Sequence, residues 1–114
     1  MLPDLRDPAY LWDMLDAARS VREFAEGVTF EQYLADKMMR SAVERQLEIL
    51  GEAAGRVSER FRKEHPEVPW RQVVGLRNVL AHDYGGVRHE RVWKIISHHI
   101  PALIRHLEPL VPPR

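Results

Sequence analysis

Apolar residues recur at intervals of three and four along almost the whole chain, a period that is typical of amphipathic helices. The 114-residue sequence has no stretch with the strict apolar–polar alternation of a half-buried strand. Four apolar stripes, over 11–25, 30–61, 73–80 and 92–107, are separated by glycine or proline. Amphipathic helices joined by short loops favour an antiparallel arrangement. The sequence therefore predicts an all-α fold, an antiparallel four-helix bundle with residues 1–114 in a single domain.

Capping residues indicate where the first two helices begin. Asp7 is expected to cap the first helix, and Gly27 to end it. Thr29 opens a capping box at the start of the second helix, which is predicted to continue for about thirty residues and to stop before Pro66. The apolar stripe of this second helix includes Phe30, Leu34, Met38, Leu47, Leu50, Ala54, Val57 and Phe61.

Glycine and proline divide the second half of the chain. The third helix is predicted to run from near Pro69 towards Asp83, and Gly85-Gly86 is expected to break it. Pro101 lies within the apolar stripe of the fourth helix. A kink is therefore expected about one turn before this proline.

Two glycines lie four residues apart inside the second helix, at Gly51 and Gly55. A glycine in a helix interior costs about 1 kcal/mol relative to alanine. Close approach of another helix, in the same chain or in a partner, would compensate for this cost. Glu52 lies between them, where its carboxylate could orient a functional side chain on the neighbouring helix.

Composition excludes several classes of protein. The chain has no cysteine, which rules out disulfides and thiolate zinc sites. It has no run of 18 apolar residues and no secretory signal pattern, so neither a membrane span nor export is expected, and a cytoplasmic location is predicted. A net charge of zero is not that of a general polyanion binder.

Charge is distributed unevenly along this neutral chain. Residues 1–36 carry three arginines against eight acidic residues, whereas residues 71–94 carry five basic residues against two acidic ones. One interpretation is that these segments form solvated faces on opposite sides of a bundle. The other is that the basic segment contacts phosphate groups.

Polar residues of the third helix share one side of it. At ~100° per residue, Arg77, Asn78, His82 and Tyr84 fall on one arc around the small Ala81, opposite the apolar positions. Cationic residues near a helix C-terminus are common, because they meet the negative end of the helix dipole. The same arc could instead accept a ligand.

The segment LRNVLAHDY, residues 76–84, resembles the signature of the HEPN superfamily, and specifically of HepT-like toxins. That pattern is Arg, four residues, His, one residue, Tyr, usually with Asn after the Arg. Residues 43–53 and 92–96 resemble the same family, so the resemblance covers nearly the whole chain. Gly85 departs from the pattern, since a bulkier residue is expected there.

The resemblance implies a metal-independent endoribonuclease that acts as a homodimer and needs no cofactor. It also implies a toxin whose antitoxin is a small nucleotidyltransferase of the MNT type, which adds AMP to the motif tyrosine. Carried over by position, Arg77 and His82 are the catalytic pair and Asn78 assists them. Tyr84 is the modified residue. Glu52 is a possible support for Arg77 or His82 on the separate ground of its position between Gly51 and Gly55. The substrate would be tRNA or mRNA.

Apart from the resemblance, the chemistry of these residue types is suited to cleaving RNA by attack of its own 2′-hydroxyl. That reaction needs a base at the 2′-hydroxyl and an acid at the leaving 5′-oxygen, and histidine changes charge near neutral pH. Arginine presents a permanently charged fork to the phosphate oxygens. DNA lacks the attacking hydroxyl and is expected to be inert.

No metal site is expected from the sequence. The motif has one acidic residue, Asp83, and a single carboxylate is poorly suited to hold the two metal ions of a two-metal mechanism. The remaining histidines lack a partner at the spacing of a helical metal site and are expected at the surface. They are His65, His89, His98, His99 and His106.

Arg77 and His82 are about 140° apart on one helix, so their side chains diverge. A two-fold dimer would place two copies of the motif face to face, which predicts a composite site and an inactive monomer.

Two alternatives remain open. The chain could be a non-catalytic helical partner of a nucleotidyltransferase, with Arg77 and His82 contacting its nucleotide. It could also be a structural bundle whose polar arc is buried in a dimer.

Overall fold

The computed structural model describes residues 5–82 and 85–113, and every regular element in these ranges is helical. The elements are α1 (Asp7–Ala25), α2 (Phe30–Ala35), α3 (Lys37–Arg56), α4 (Glu59–Glu64), α5 (Trp70–Val74), α6 (Leu76–His82), α7 (Gly85–Lys94), a π-helical turn (Ile95–His99), α8 (Ile100–Leu107) and a 3₁₀ turn (Glu108–Leu110). The predicted all-α bundle is confirmed. Over the described ranges, no helix combines the length and the apolar character needed to cross a membrane.

Two long helices, α1 and α3, make the main contact of the bundle. The carboxylate of Asp7 accepts hydrogen bonds from the backbone N–H and the hydroxyl of Ser58, at 2.8 and 2.6 Å. The start of α1 therefore lies beside the end of α3, and the two helices are antiparallel. Asp7 is the first residue of α1 and not its cap, which is Arg6, so the predicted capping role was wrong.

The apolar stripes of the first and last predicted helices are buried in the core, as predicted. From α1 the buried positions include Leu11, Met14, Leu15, Ala18, Val21 and Ala25. From the last helix they include Val92, Ile96, Ile100, Leu103 and Leu107. α5 and α6 pack against α3, while α8 packs against α1.

The long second helix predicted from its apolar stripe was wrong, because two capping residues divide it into α2, α3 and α4. Asp36 ends α2 and caps α3, accepting the N–H of Met39 at 3.0 Å. Ser58 caps α4 in the same way, accepting the N–H of Phe61 at 3.2 Å. Met38 consequently leaves the core and is 83% exposed.

The second half of the chain also differs in detail from the prediction. Gly75 separates α5 from α6, where one continuous helix was expected, and α6 ends at His82. Gly85 and Gly86 are the first residues of α7 and do not form the break itself. The predicted end at Asp83 lies outside the described residues.

A π-helical turn stands where the kink before Pro101 was predicted. Ile100 donates its N–H to the carbonyl of Ile95, five residues back, so this turn is wider than an α-helical turn. A proline ring within a helix clashes with the carbonyl four residues earlier, which is that of Ser97. The wider turn makes room for the ring.

Candidate active site

The short helix α6 carries the residues that the sequence singled out. Leu76 is buried against the core, whereas Arg77, Asn78 and His82 are exposed. The polar arc is therefore accessible in the single chain. Tyr84, the fourth motif residue, lies outside the described residues.

Arg77 and His82 occupy opposite ends of α6 and do not line a common cleft. Arg77 is the second residue of the helix and His82 is its last. Arg77 borders a cleft between α3 and the α5–α6 segment, and His82 is not among the described residues that line it. One copy of the chain thus leaves the two side chains about 140° apart around the helix.

The cleft beside Arg77 has a volume of about 350 Å³. Its lining residues are Gly51, Glu52, Gly55, Arg56, Val74 and Arg77. The half-buried Glu52 thus shares a cleft with Arg77. Sequence reasoning missed Arg56, although about 40° separates it from Glu52 on an ideal α-helix.

Different causes explain the two glycines of α3. A Cβ at Gly51 would lie 3.1 Å from the carbonyl oxygen of Val73, so this glycine permits the predicted close approach of another helix, here α5. A Cβ at Gly55 would have no atom within 4 Å. Gly55 leaves open space beside the cleft and does not serve packing.

A half-buried ion pair anchors the far end of α6. Arg88 of α7 lies 3.9 Å from Glu44 of α3, and both side chains are largely covered. The same guanidinium donates to the backbone carbonyl of Leu80 at 3.4 Å. This contact links α3, α6 and α7 two residues before His82.

Tyr33 and His89 lie beside this ion pair, in ring contact with each other and in the field of Arg40. Burial is the main cause that raises the pKa of Tyr33, and it also lowers the pKa of His89, assisted by the charges of Arg40 and Arg88. Within the described ranges, the Tyr33 hydroxyl and the His89 Nδ1 are buried without a hydrogen-bond partner.

The predicted surface position of the remaining histidines holds for some of them only. His98, His99 and His106 are exposed. His65 and His89 are half-buried, because each packs against a neighbouring aromatic ring. No three His, Asp or Glu side chains in the described parts of the chain come together as a metal site would require.

A second cavity, of about 520 Å³, lies on the apolar side of α5 and α6. Apolar residues make up most of its lining, including Leu50, Leu76, Val79, Ile95 and Leu103, and Arg91 and His99 stand at it as well. Arg77, Asn78 and His82 do not belong to it. These three motif residues therefore lie outside this apolar cavity.

Comparison with known proteins gives one consistent family. A family model described as "Ribonuclease HepT-like" matches residues 14–110. "Putative RNase MJ1380" of Methanocaldococcus jannaschii is 40% identical over 100 residues, 88% of this chain and 92% of that protein. "Probable ribonuclease HepT" of Thermococcus cleftensis is 40% identical over 101 residues, 89% of this chain and 92% of that protein. No solved structure gives a significant match.

Proposed function

Because this chain belongs to the ribonuclease HepT-like family, a HEPN-type family, we propose that it is a metal-independent endoribonuclease that acts in the cytoplasm as a homodimer. The observation that carries this proposal is the exposure of Arg77, Asn78 and His82 together on α6, within the matched region. The substrate is RNA, with tRNA or mRNA as the expected targets.

The proposed reaction is attack by a ribose 2′-oxygen on the adjacent phosphorus. The bond from phosphorus to the 5′-oxygen breaks, leaving a 2′,3′-cyclic phosphate on one product and a 5′-hydroxyl on the other. His82 takes the proton from the 2′-hydroxyl or supplies one to the 5′-oxygen. Arg77 binds the phosphate oxygens as negative charge accumulates on them, with Asn78 assisting.

Homodimerisation supplies what one chain lacks. A two-fold axis near α6 would bring Arg77 of one protomer towards His82 of the partner subunit, and the reverse. The divergence of the two side chains in the single chain supports this arrangement.

Regulation forms the second part of the proposal. The chain acts as a toxin, and an MNT-type nucleotidyltransferase antitoxin neutralises it by transferring AMP from ATP to the hydroxyl oxygen of Tyr84, with pyrophosphate as the leaving group. In the motif, Tyr84 follows His82 by two residues, so the attached nucleotide would place a bulky anion beside the catalytic groups. The resemblance of residues 76–84 to the signature of HepT-like toxins supports this part of the proposal.

The test is cleavage of single-stranded RNA by the purified chain in the presence of a chelator, without ATP or a partner protein. Wild-type protein should produce cyclic-phosphate ends and should leave DNA of the same sequence intact. Arg77→Ala and His82→Ala should each lower kcat by roughly 10²- to 10⁴-fold. Arg105→Ala and His106→Ala are matched controls, since both residues are exposed on α8.

Equal cleavage by wild type and both motif variants would remove Arg77 and His82 from the chemistry. Absence of cleavage by all of them would favour the alternative, a non-catalytic partner of a nucleotidyltransferase. Growth after induction of each chain alone tests the toxin role separately: wild type should arrest growth, and both motif variants should be harmless.

A further inference from the structure

We propose that the cleft lined by Glu52, Arg56 and Arg77 binds a phosphodiester of the RNA strand next to the scissile one, with Arg56 as its main ligand. This inference rests on the proposed ribonuclease function and extends its site by one binding position. It concerns a residue on α3, outside the motif of α6.

The charges of the cleft suit a phosphodiester. Arg56 and Arg77 are exposed, and among the described residues neither is engaged in an ion pair. By contrast, Arg45 of the same helix is paired with Glu48 at 3.3 Å. Together with the carboxylate of Glu52, the two guanidinium groups give the cleft a net charge of +1. A phosphodiester carries one negative charge, which a guanidinium binds through two parallel hydrogen bonds.

Gly55 leaves open space at the cleft, and helix packing does not explain why a glycine stands there. Gly51 is required by the approach of α5, but Gly55 has no neighbour that a side chain would meet. A side chain at position 55 would project into space that borders the cleft. Glycine at this position therefore costs helix stability and gains room for a ligand.

The position of the cleft determines which part of the RNA it meets. Arg77 belongs both to the motif and to the cleft wall. A strand whose scissile phosphate lies on Arg77 and that continues along the cleft would bring a neighbouring phosphate beside Arg56. Among the described residues that line the cleft, none has an aromatic side chain that could stack on a base. We therefore expect a contact to the backbone that is independent of base sequence.

The first experiment measures binding without cleavage. A 2′-O-methyl RNA oligonucleotide has no attacking hydroxyl, and its Kd is measured by fluorescence anisotropy over a range of salt concentrations. Arg56→Gln should raise Kd roughly tenfold for every sequence tested, because a charge-assisted contact is lost. The negative slope of the logarithm of the association constant against the logarithm of the salt concentration should become shallower by about 0.7, as expected for the loss of one phosphate contact to a single strand. Arg105→Gln removes the same charge from exposed α8 and is the matched control.

The second variant separates binding from folding. Gly55→Leu fills the space beside the cleft with a residue that favours the helix, so its Tm should equal or exceed that of the wild type. Its Kd for the same oligonucleotide should nevertheless rise several-fold. If position 55 affected only the stability of the helix, a variant at least as stable as the wild type would bind the oligonucleotide as tightly as the wild type does.

Cleavage of an unmodified RNA by wild type, run in parallel, separates this inference from the proposed function. If wild type cleaves and Arg56→Gln binds as tightly as Arg105→Gln does, the ribonuclease stands and the phosphate site is overturned. If wild type does not cleave but Arg56→Gln weakens binding as described, the site stands and the catalytic proposal falls. Full affinity in Gly55→Leu would also contradict the site.

Discussion

His89 illustrates how a single residue takes its properties from its neighbours and not from its sequence context. In sequence it is one of several histidines without an evident partner. In the fold it lies against Tyr33, near the cations Arg40 and Arg88, and its pKa is lowered by burial first and by those charges second. Glu44 acts in the opposite direction but does not offset them.

This lowered pKa predicts a pH dependence of stability. In the unfolded chain a histidine titrates near about 6.5, and in the folded chain His89 binds a proton less readily. The unfolded state therefore gains protons first as pH falls, and stability is lost from about pH 6.5 downwards until the folded pKa is passed. His89→Gln removes this contribution, so its Tm should fall less between pH 7 and pH 5 than that of the wild type.

The measurement is a series of thermal melts across that pH range, with His106→Gln, an exposed position on α8, as the matched control. The control should follow the wild-type curve. A His89→Gln curve parallel to the wild type would contradict the prediction.

The candidate site shows which residues a sequence can reveal. Arg77, Asn78 and His82 could be singled out because they share one arc of a single short helix and because residues 76–84 resemble the HepT-like signature. Arg56 could not, because its relation to Arg77 depends on how α3 packs against the α5–α6 segment. The signal that remained was local, an arginine on the same side of the helix as Glu52 and Gly55.

At the scale of elements, apolar period and capping chemistry carried different information. The period correctly predicted which faces of α1 and α8 are buried, since burial follows directly from periodicity. The same period predicted one helix where α2, α3 and α4 are separate, because apolar residues continue across both breaks. Asp36 and Ser58 are N-cap residue types placed within that stripe, and their side-chain hydrogen bonds begin the new helices α3 and α4.

The two glycines of α3 give a paired prediction about helix stability. Gly55→Ala should stabilise the fold by up to about 1 kcal/mol, because the added methyl meets open space and alanine favours the helix. Gly51→Ala gains the same propensity but places a Cβ 3.1 Å from the Val73 carbonyl oxygen. Because this Cβ would force α5 away from α3, Gly51→Ala should lower the free energy of unfolding by about 1–2 kcal/mol.

Urea unfolding of both variants beside the wild type provides the comparison. Opposite signs of the two changes are expected, with a similar m-value for all three proteins. Equal stabilisation by both substitutions would mean that α5 yields easily and that the close approach at Gly51 contributes little.

At the scale of the whole molecule, the single chain holds the two proposed catalytic residues apart. Arg77 faces the cleft on α3, and His82 ends the same helix on a different side. The link from Arg88 to the Leu80 carbonyl connects the end of α6 to α3 and α7, which argues against a rearrangement of α6 that would bring the two together. The proposed homodimer would bring the two residues together without such a rearrangement.

Mixing two inactive variants tests this composite site. Coexpressed Arg77→Ala and His82→Ala chains should recover about a quarter of wild-type activity, because about half of randomly paired dimers are mixed and each has one intact site of two. The RNA cleavage rate of the purified mixture is the measurement, and each variant alone is the control. A mixture as inactive as its components would place both residues of a site in the same chain.

The π-helical turn before Pro101 has a consequence for the length of the chain. A bond that spans five residues encloses one residue more than an α-helical bond, so the turn behaves as a one-residue insertion within an otherwise continuous helix. Deleting one residue there would restore ordinary α-helical bonding but would bring the proline ring against a backbone carbonyl. The insertion and the proline are therefore coupled, and over the history of such chains we expect them to have been gained or lost together.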